Sequence, residues 1–219
     1  MPASTALHLP VPAPAFTALL FGLSGCLVDF GARASASSHS DLPDTQSAQD
    51  AINERANVTP GTLAILQTLS HQGVPCAWLD ELPEALSQRL AEPLGSWIKP
   101  AERSSTCADW PAPDAVWQAL MSLKVQQLDG CVLVSGDPRL LQSGLNAGVW
   151  TIGLATCGPL CGLSPKDWQA LSDAEREYRR GQATLQLYSL GVHSVVDHVG
   201  ELASCLADLS VRRTKGEKP

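Results

Sequence analysis

Residues fit for chemistry stand where apolar runs end. Asp137 lies in VSGDPR, directly after the run Cys131–Val134. A second such turn is FGLSGCLVDFG (Phe21–Gly31), which follows AFTALL. Asp137 and the carbonyl of Ser24 could together hold Mg²⁺, although one carboxylate makes a poor hard-cation site. Ser24 and Gly25 could cradle an anion through backbone N–H groups, or Gly25 could simply permit a tight turn. Asp80 ends a third apolar run, and Asp29 closes the Ser24 turn as a hinge contact or an acid. Cys157 and Cys161, in CGPLC, could form a redox pair or bind a metal. Their spacing is not CxxC, and no histidine nearby completes a zinc set. The reading that competes is small buried hydrophobes kept reduced. His39, His193 and His198 have no partner cysteine or serine at motif spacing and read as surface or structural residues.

These residues need elements to position them. Apolar runs at Phe16–Phe21, Val74–Leu79, Cys131–Val134 and Val149–Leu154, with a weaker one at Val192–Val196, read as strands. Helical patterns alternate with them: Pro60–Leu69 after an N-cap at Thr59, Leu82–Leu90, Pro113–Gln127, Pro138–Asn146, about 172–190, and about 201–209. Ser172 with Glu175 forms a capping box for the long helix, and Gly191 ends it. Such alternation predicts an α/β fold with a five- or six-stranded parallel sheet and helices on both faces. The runs beginning at Phe16, Cys131 and Val149 should be central, being apolar on both faces. Ligands in such folds bind at the carboxyl ends of the strands. The candidate site is therefore built from Gly22–Cys26, Asp80–Leu82 and Ser135–Arg139. One stretch, Ala32–Asn57, breaks the alternation. It is polar, with a short helix expected after about Asp44, and too poor in large apolar residues for a full helical cap.

Composition narrows the function. The 219 residues carry a net charge of −7 and a single short basic stretch, RRTKGEK, near the C-terminus. Nucleic acid and anionic membranes are thus unsuited as main partners. There is no run of 18 apolar residues, so no membrane-spanning helix is expected. MPASTALHLPVPAPA has no positive n-region and is broken by prolines, so it reads as an extended or disordered lead, and a cytoplasmic location is expected.

Longer motifs carry a resemblance. Gly136-Asp137, GLNAGVW (Gly144–Trp150), GLSPKDWQAL (Gly162–Leu171) and LGVHSVVDHVGEL (Leu190–Leu202) occur in that order. LSGCLVDFGAR precedes them, with VTPGTLAIL and PAP between. The chain resembles the haloacid dehalogenase (HAD) superfamily, and most closely its phosphonoacetaldehyde hydrolase (phosphonatase) branch. The resemblance implies a Rossmann-like three-layer core, residues 16–211, in which 32–57 is a truncated cap insertion and 212–219 a flexible basic tail. It also puts the family's nucleophilic aspartate at Gly22, its second-turn hydroxyl at Leu79 or Asp80, its basic residue at Trp110, and its second metal-turn acid at Leu140. Only Asp137 keeps the family's residue type. The Schiff-base lysine of the family's cap has no counterpart, because Lys99, Lys124, Lys166, Lys215 and Lys218 all lie outside 32–57. Of the tryptophans Trp78, Trp97, Trp110 and Trp117, which could fill the vacated pocket, Trp110 is the strongest case.

The expectation is a phosphonatase-like protein without hydrolase activity, in a binding or regulatory role. Its site residues are Gly22, Ser24, Gly25, Leu79, Asp80, Trp110, Asp137 and Leu140. No cofactor is expected, with Mg²⁺ needed only for retained activity. A small phosphonate or phosphate, or a protein, is the expected partner, and the resemblance allows a homodimer. The alternatives are an active HAD-type hydrolase using Asp137, Asp80 or Asp29, and a thiol redox protein using Cys157 and Cys161.

Overall fold

The computed structural model describes residues 16–36, 46–102, 104 and 106–219. Six parallel strands form one sheet: β1 (Ala18–Gly22), β2 (Cys76–Leu79), β3 (Lys99–Pro100), β4 (Cys131–Ser135), β5 (Trp150–Leu154) and β6 (Ser194–Val196). Their order is β3-β2-β1-β4-β5-β6, so the chain winds outward from β1 in both directions. Phe21 pairs with Trp78 on one side and Val134 on the other. Every residue of β1, β4 and β5 is buried, as strands covered on both faces must be. β3 is the addition to the expected strands. It has two residues and ends on a proline, and so offers no apolar run to read.

Nine α-helices are described: α1 (Arg33–Ala36), α2 (Gln46–Arg55), α3 (Thr62–His71), α4 (Glu84–Ala91), α5 (Asp114–Ser122), α6 (Pro138–Ala147), α7 (Pro165–Ala170), α8 (Asp173–Leu190) and α9 (Leu202–Thr214). On one face of the sheet Leu19, Phe21, Val132, Trp150 and Ile152 pack with Leu66 and Leu69 of α3 and Leu206 and Leu209 of α9. On the other, Leu20 and Leu133 pack with Val116 and Leu120 of α5 and Leu140 of α6. The capping box at Ser172 and the left-handed Gly191 bound α8 as the sequence predicts.

Three expected boundaries move, and one short helix is added. α3 starts at Thr62, after Gly61 with φ 82°, and Thr59 is not its cap. The Thr59 hydroxyl bonds the carbonyls of Cys26 and Leu27 and the hydroxyl of Thr62 instead, tying the exit of the insertion to the β1 turn. α5 stops at Ser122, short of Gln127, because Lys124 turns left-handed at φ 57°. α7 is a short helix that the pattern did not separate from the loop before α8. α9 runs on to Thr214, into the tail expected to begin at 212. Arg212 bonds the His193 carbonyl and Glu217, and Arg213 pairs with Asp129. In the stretch 32–57, α1 and α2 are the described helices. Residues 37–45, which include His39, and the lead 1–15 lie outside the described residues.

Candidate functional site

The β1, β2 and β4 turns meet at one sheet edge around a cavity of about 290 Å³. Gly22, Ser24, Leu79, Asp80, Trp110, Asp137 and Leu140 all line it. The β1 backbone reaches this edge against its neighbours, since Leu23 N–H bonds the Leu79 carbonyl. Of the further lining residues, Glu81, Ser135 and Arg139 fall within the turns singled out in the sequence but are given no role there, and Asp109 lies outside them. For the first three, position was the available signal.

Gly22 sits against β4. A Cβ built there would lie 2.8 Å from Ser135 Oγ and 3.4 Å from Leu140 Cδ2. That hydroxyl is in use, because Asp137 N–H donates to it at 3.0 Å. Asp137 is the N-cap of α6, its Oδ1 accepting from Arg139 N–H at 2.8 Å. Burial pushes its carboxyl above the ordinary range, and the hydrogen bond and charge of Arg139 only partly oppose this.

Arg139 revises the reading of Trp110. An indole does stand where the resemblance puts a cation, yet a guanidinium reaches the same cavity from α6. It pairs with Glu81 at 2.7 Å and donates to the Trp110 carbonyl at 2.9 Å. Glu81 in turn accepts from Trp110 N–H at 2.7 Å. The cavity thus gathers four carboxylates (Asp80, Glu81, Asp109, Asp137) around one guanidinium. Trp78 packs in the core, while Trp97 and Trp117 are exposed, so Trp110 alone of the four tryptophans lines this cavity.

The Ser24 hydroxyl is engaged within its own turn. It donates to Asp29 Oδ2 at 2.7 Å, and the same oxygen accepts from Ala34 N–H at 2.7 Å. Asp29 N–H bonds the Arg55 carbonyl at 2.9 Å. Asp29, only 2% exposed and left-handed at φ 51°, therefore joins the β1 turn to both ends of the insertion. These residues do not fit Mg²⁺. The carbonyl of Ser24 would have only the one carboxylate of Asp137 beside it, whose Oδ1 already caps α6, and among the described residues no three His, Cys, Asp or Glu side chains are placed to hold an ion together.

Gly25 lies behind the cavity, not on it. A Cβ there would stand 2.7 Å from Gly158 Cα. One on Gly136 would stand 2.4 Å from the Cys157 carbonyl oxygen and 2.6 Å from that of Gly25. The turns after β1, β4 and β5 thus stack main chain on main chain, and Gly25 N–H is taken up within its own turn by the carbonyls of Val28 and Asp29.

The cysteines are all unpaired. Cys157 and Cys161 are buried, and burial raises both thiols, that of Cys157 to about 12. A redox thiol needs its thiolate near neutral pH, so this environment opposes the redox reading. His193 packs edge-on to Trp150 with Nδ1 on Thr151 N–H, and His198 caps a short turn through Gly200 N–H.

A second, larger cavity of about 800 Å³ lies at the ends of β5 and β6. Phe30, Trp168, Arg176, Arg180, Asp197 and His198 are among its lining residues, and it shares none with the first. Nothing in the sequence flagged it, because its walls come from five separate segments.

No family model matches the chain. It is 28% identical over 179 residues to the phosphonoacetaldehyde hydrolase of Bordetella pertussis, covering 77% of this chain and 62% of that one. It is 30% identical over 171 residues to that of Salmonella paratyphi A, covering 73% and 61%. The chain thus spans less than two thirds of these curated relatives. A solved structure of a phosphonoacetaldehyde hydrolase-like protein from Oleispira antarctica superposes with a TM-score of 0.80 at 23% identity, over 94% of this chain and 97% of that one. At that identity the likeness carries the fold alone. The strand order, the converging turns and the matched relatives together place this chain in the haloacid dehalogenase superfamily, as a phosphonatase-like protein.

Proposed function

We propose that the protein is a phosphonatase-like protein that has lost hydrolysis and acts by binding. The observation that carries this reading is Gly22 itself, which leaves the end of β1 without a carboxylate at the cavity. The resemblance puts a nucleophilic carboxylate there, and Ser135 Oγ stands 2.8 Å from where its first carbon would be. Covalent phosphoryl chemistry needs an activated nucleophile at the reacting centre; here that position is a glycine, crowded by a serine hydroxyl bonded to Asp137 N–H. The surroundings agree. A phosphoryl dianion entering this cavity meets four carboxylates and one guanidinium that already pairs with Glu81. No lysine lies in 32–57 to form an imine, the electron sink for C–P cleavage. In this reading 32–57 is a truncated cap, and the 800 Å³ cavity beside it, within the usual size for small-ligand sites, is where binding takes place.

The competing reading is an active hydrolase built differently, favoured by the convergence of Asp80, Asp137 and Arg139 on one cavity. Incubation of the purified protein with phosphonoacetaldehyde, and separately with a simple aryl phosphate ester, in millimolar Mg²⁺ decides between them. No turnover is expected. Mg²⁺-dependent turnover that disappears in Asp137→Asn would overturn the proposal and install the alternative.

A further inference from the structure

The cavity of about 800 Å³ at the ends of β5 and β6 has two unlike kinds of lining. One is apolar and aromatic. Phe30 and Trp168 meet there with ring centroids 6.4 Å apart and ring planes at 50°, and Val58 and Pro165 extend the apolar surface. The other carries guanidiniums. Arg176 and Arg180 stand four residues apart on α8 and so share one of its faces. Arg33 of α1 lines the same space.

Each of these arginines pairs with an acid of the chain, but the partners stand further out in solvent. Asp173 is 97% exposed against 35% for Arg176, and Glu177 is 68% exposed against 41% for Arg180. Glu54 is likewise more exposed than Arg33. Ion pairs with so open a partner hold weakly, so a ligand carboxylate can take these guanidiniums over. Among the described lining residues, Asp197 is the acid more sheltered than its arginine, 3.5 Å from Arg180. It limits the charge that the cavity accepts. With Glu54, Asp173 and Glu177 it sets four carboxylates beside three guanidiniums, so a monoanion is favoured over a phosphate dianion. His198 adds a donor. Its Nδ1 accepts from Gly200 N–H at 3.1 Å, so the neutral ring carries its proton on Nε2.

We infer that this cavity binds a planar aromatic carboxylate, its ring against Phe30 and Trp168 and its carboxylate held by Arg176 and Arg180. The inference rests on the reading above that binding takes place in this cavity. A guanidinium fork matches a carboxylate through two parallel hydrogen bonds. Aromatic rings prefer tilted or offset contacts, the kind that Phe30 and Trp168 already make with each other. An aromatic cation is the competing occupant, since it too is drawn to π-faces. It would have to sit among the guanidiniums, with three of the four acids lying further out than their arginines.

Isothermal titration calorimetry with cinnamate, its cationic analogue cinnamylammonium, and inorganic phosphate tests this on the full chain. Cinnamate should bind saturably at one site, at least about tenfold more tightly than either of the others, as charge complementarity requires. Arg180→Gln should weaken it at least about fivefold, as loss of a hydrogen bond to a charged group does, with unchanged circular dichroism. Glu177→Gln should tighten it, because the outer competitor for Arg180 is gone. Trp168→Leu should weaken cinnamate through loss of the ring face. No saturable binding of cinnamate, tighter binding of cinnamylammonium or phosphate, or an affinity indifferent to Arg180→Gln would each overturn the inference, while the loss of hydrolysis would stand. Turnover of phosphonoacetaldehyde would overturn that loss instead and leave this site in place, so the two failures are told apart.

Discussion

Single atoms decide what the β1 turn can accommodate. Gly22 is not needed for backbone freedom, since its φ is not positive. A side chain there would be crowded by Ser135 Oγ, 2.8 Å from the Cβ position, with Asp137 N–H bonded to that oxygen. Gly22→Ala should therefore destabilise by about 1–3 kcal/mol, the usual cost of overpacking. Ser135→Ala alone loses one hydrogen bond, roughly 1 kcal/mol. In that background Gly22→Ala should cost clearly less, because the nearest remaining β4 atom is 3.4 Å away. Urea midpoints of the four proteins form the double-mutant cycle, and strict additivity would show that the two residues do not compete for space. Asp137 sets a second test at this scale. Burial raises its carboxyl in the folded protein, so the fold takes up its proton more readily than the unfolded chain does. Its contribution is complete below the ordinary carboxylate range and is lost as pH rises through the raised folded value. Asn caps a helix as well as Asp. Asp137→Asn should thus be at least as stable as the parent at pH 7, with the difference vanishing near pH 3. A variant markedly weaker at pH 7 would mean that the charge itself holds α6.

Elements meet at this edge through their turns rather than through side chains. The turns after β1, β4 and β5 touch at Gly25, Gly136 and Gly158 with main-chain atoms on both sides. Backbone cannot swing aside as a side-chain tip can. Gly136→Ala, whose Cβ would stand 2.4 Å and 2.6 Å from two carbonyl oxygens, should cost about 3 kcal/mol or more. Gly148→Ala, at a left-handed C-cap with open space around it, should cost less, by backbone strain alone. Comparable losses in thermal denaturation would contradict the stacked-turn account. The same turns carry the insertion. Asp29 reaches Ser24, Ala34 and Arg55, and Thr59 reaches Cys26 and Leu27, so α1 and α2 are anchored to the site turn from both ends.

The whole molecule answers to its ligands by mass action. A ligand that binds only the folded state at a hundred times its dissociation constant adds about 2.7 kcal/mol, which for a chain of this length shifts the melting temperature by several degrees. Among the described residues no three His, Cys, Asp or Glu side chains are placed to hold an ion together. Millimolar Mg²⁺ should therefore move the melting temperature by less than about one degree. A clear upward shift, abolished in Asp137→Asn, would show that the turn reorganises into a metal site.

The sequence by itself determined the parallel α/β sheet, the central place of β1 and β4, the capped limits of α8, and the three turns that converge. Those features are written in local patterns: apolar runs, caps and post-strand polar residues, each readable within a few positions. Motif order also determined the superfamily. Only the tertiary structure decided what the turns do to one another. That Ser135 fills the space beside Gly22, that Arg139 enters the cavity whose cation position holds Trp110, and that Thr59 serves the β1 turn instead of capping α3 are contacts across tens of residues, with no local signature. The 800 Å³ cavity belongs to the same class, because its walls are drawn from five separate segments that only the folded chain brings together.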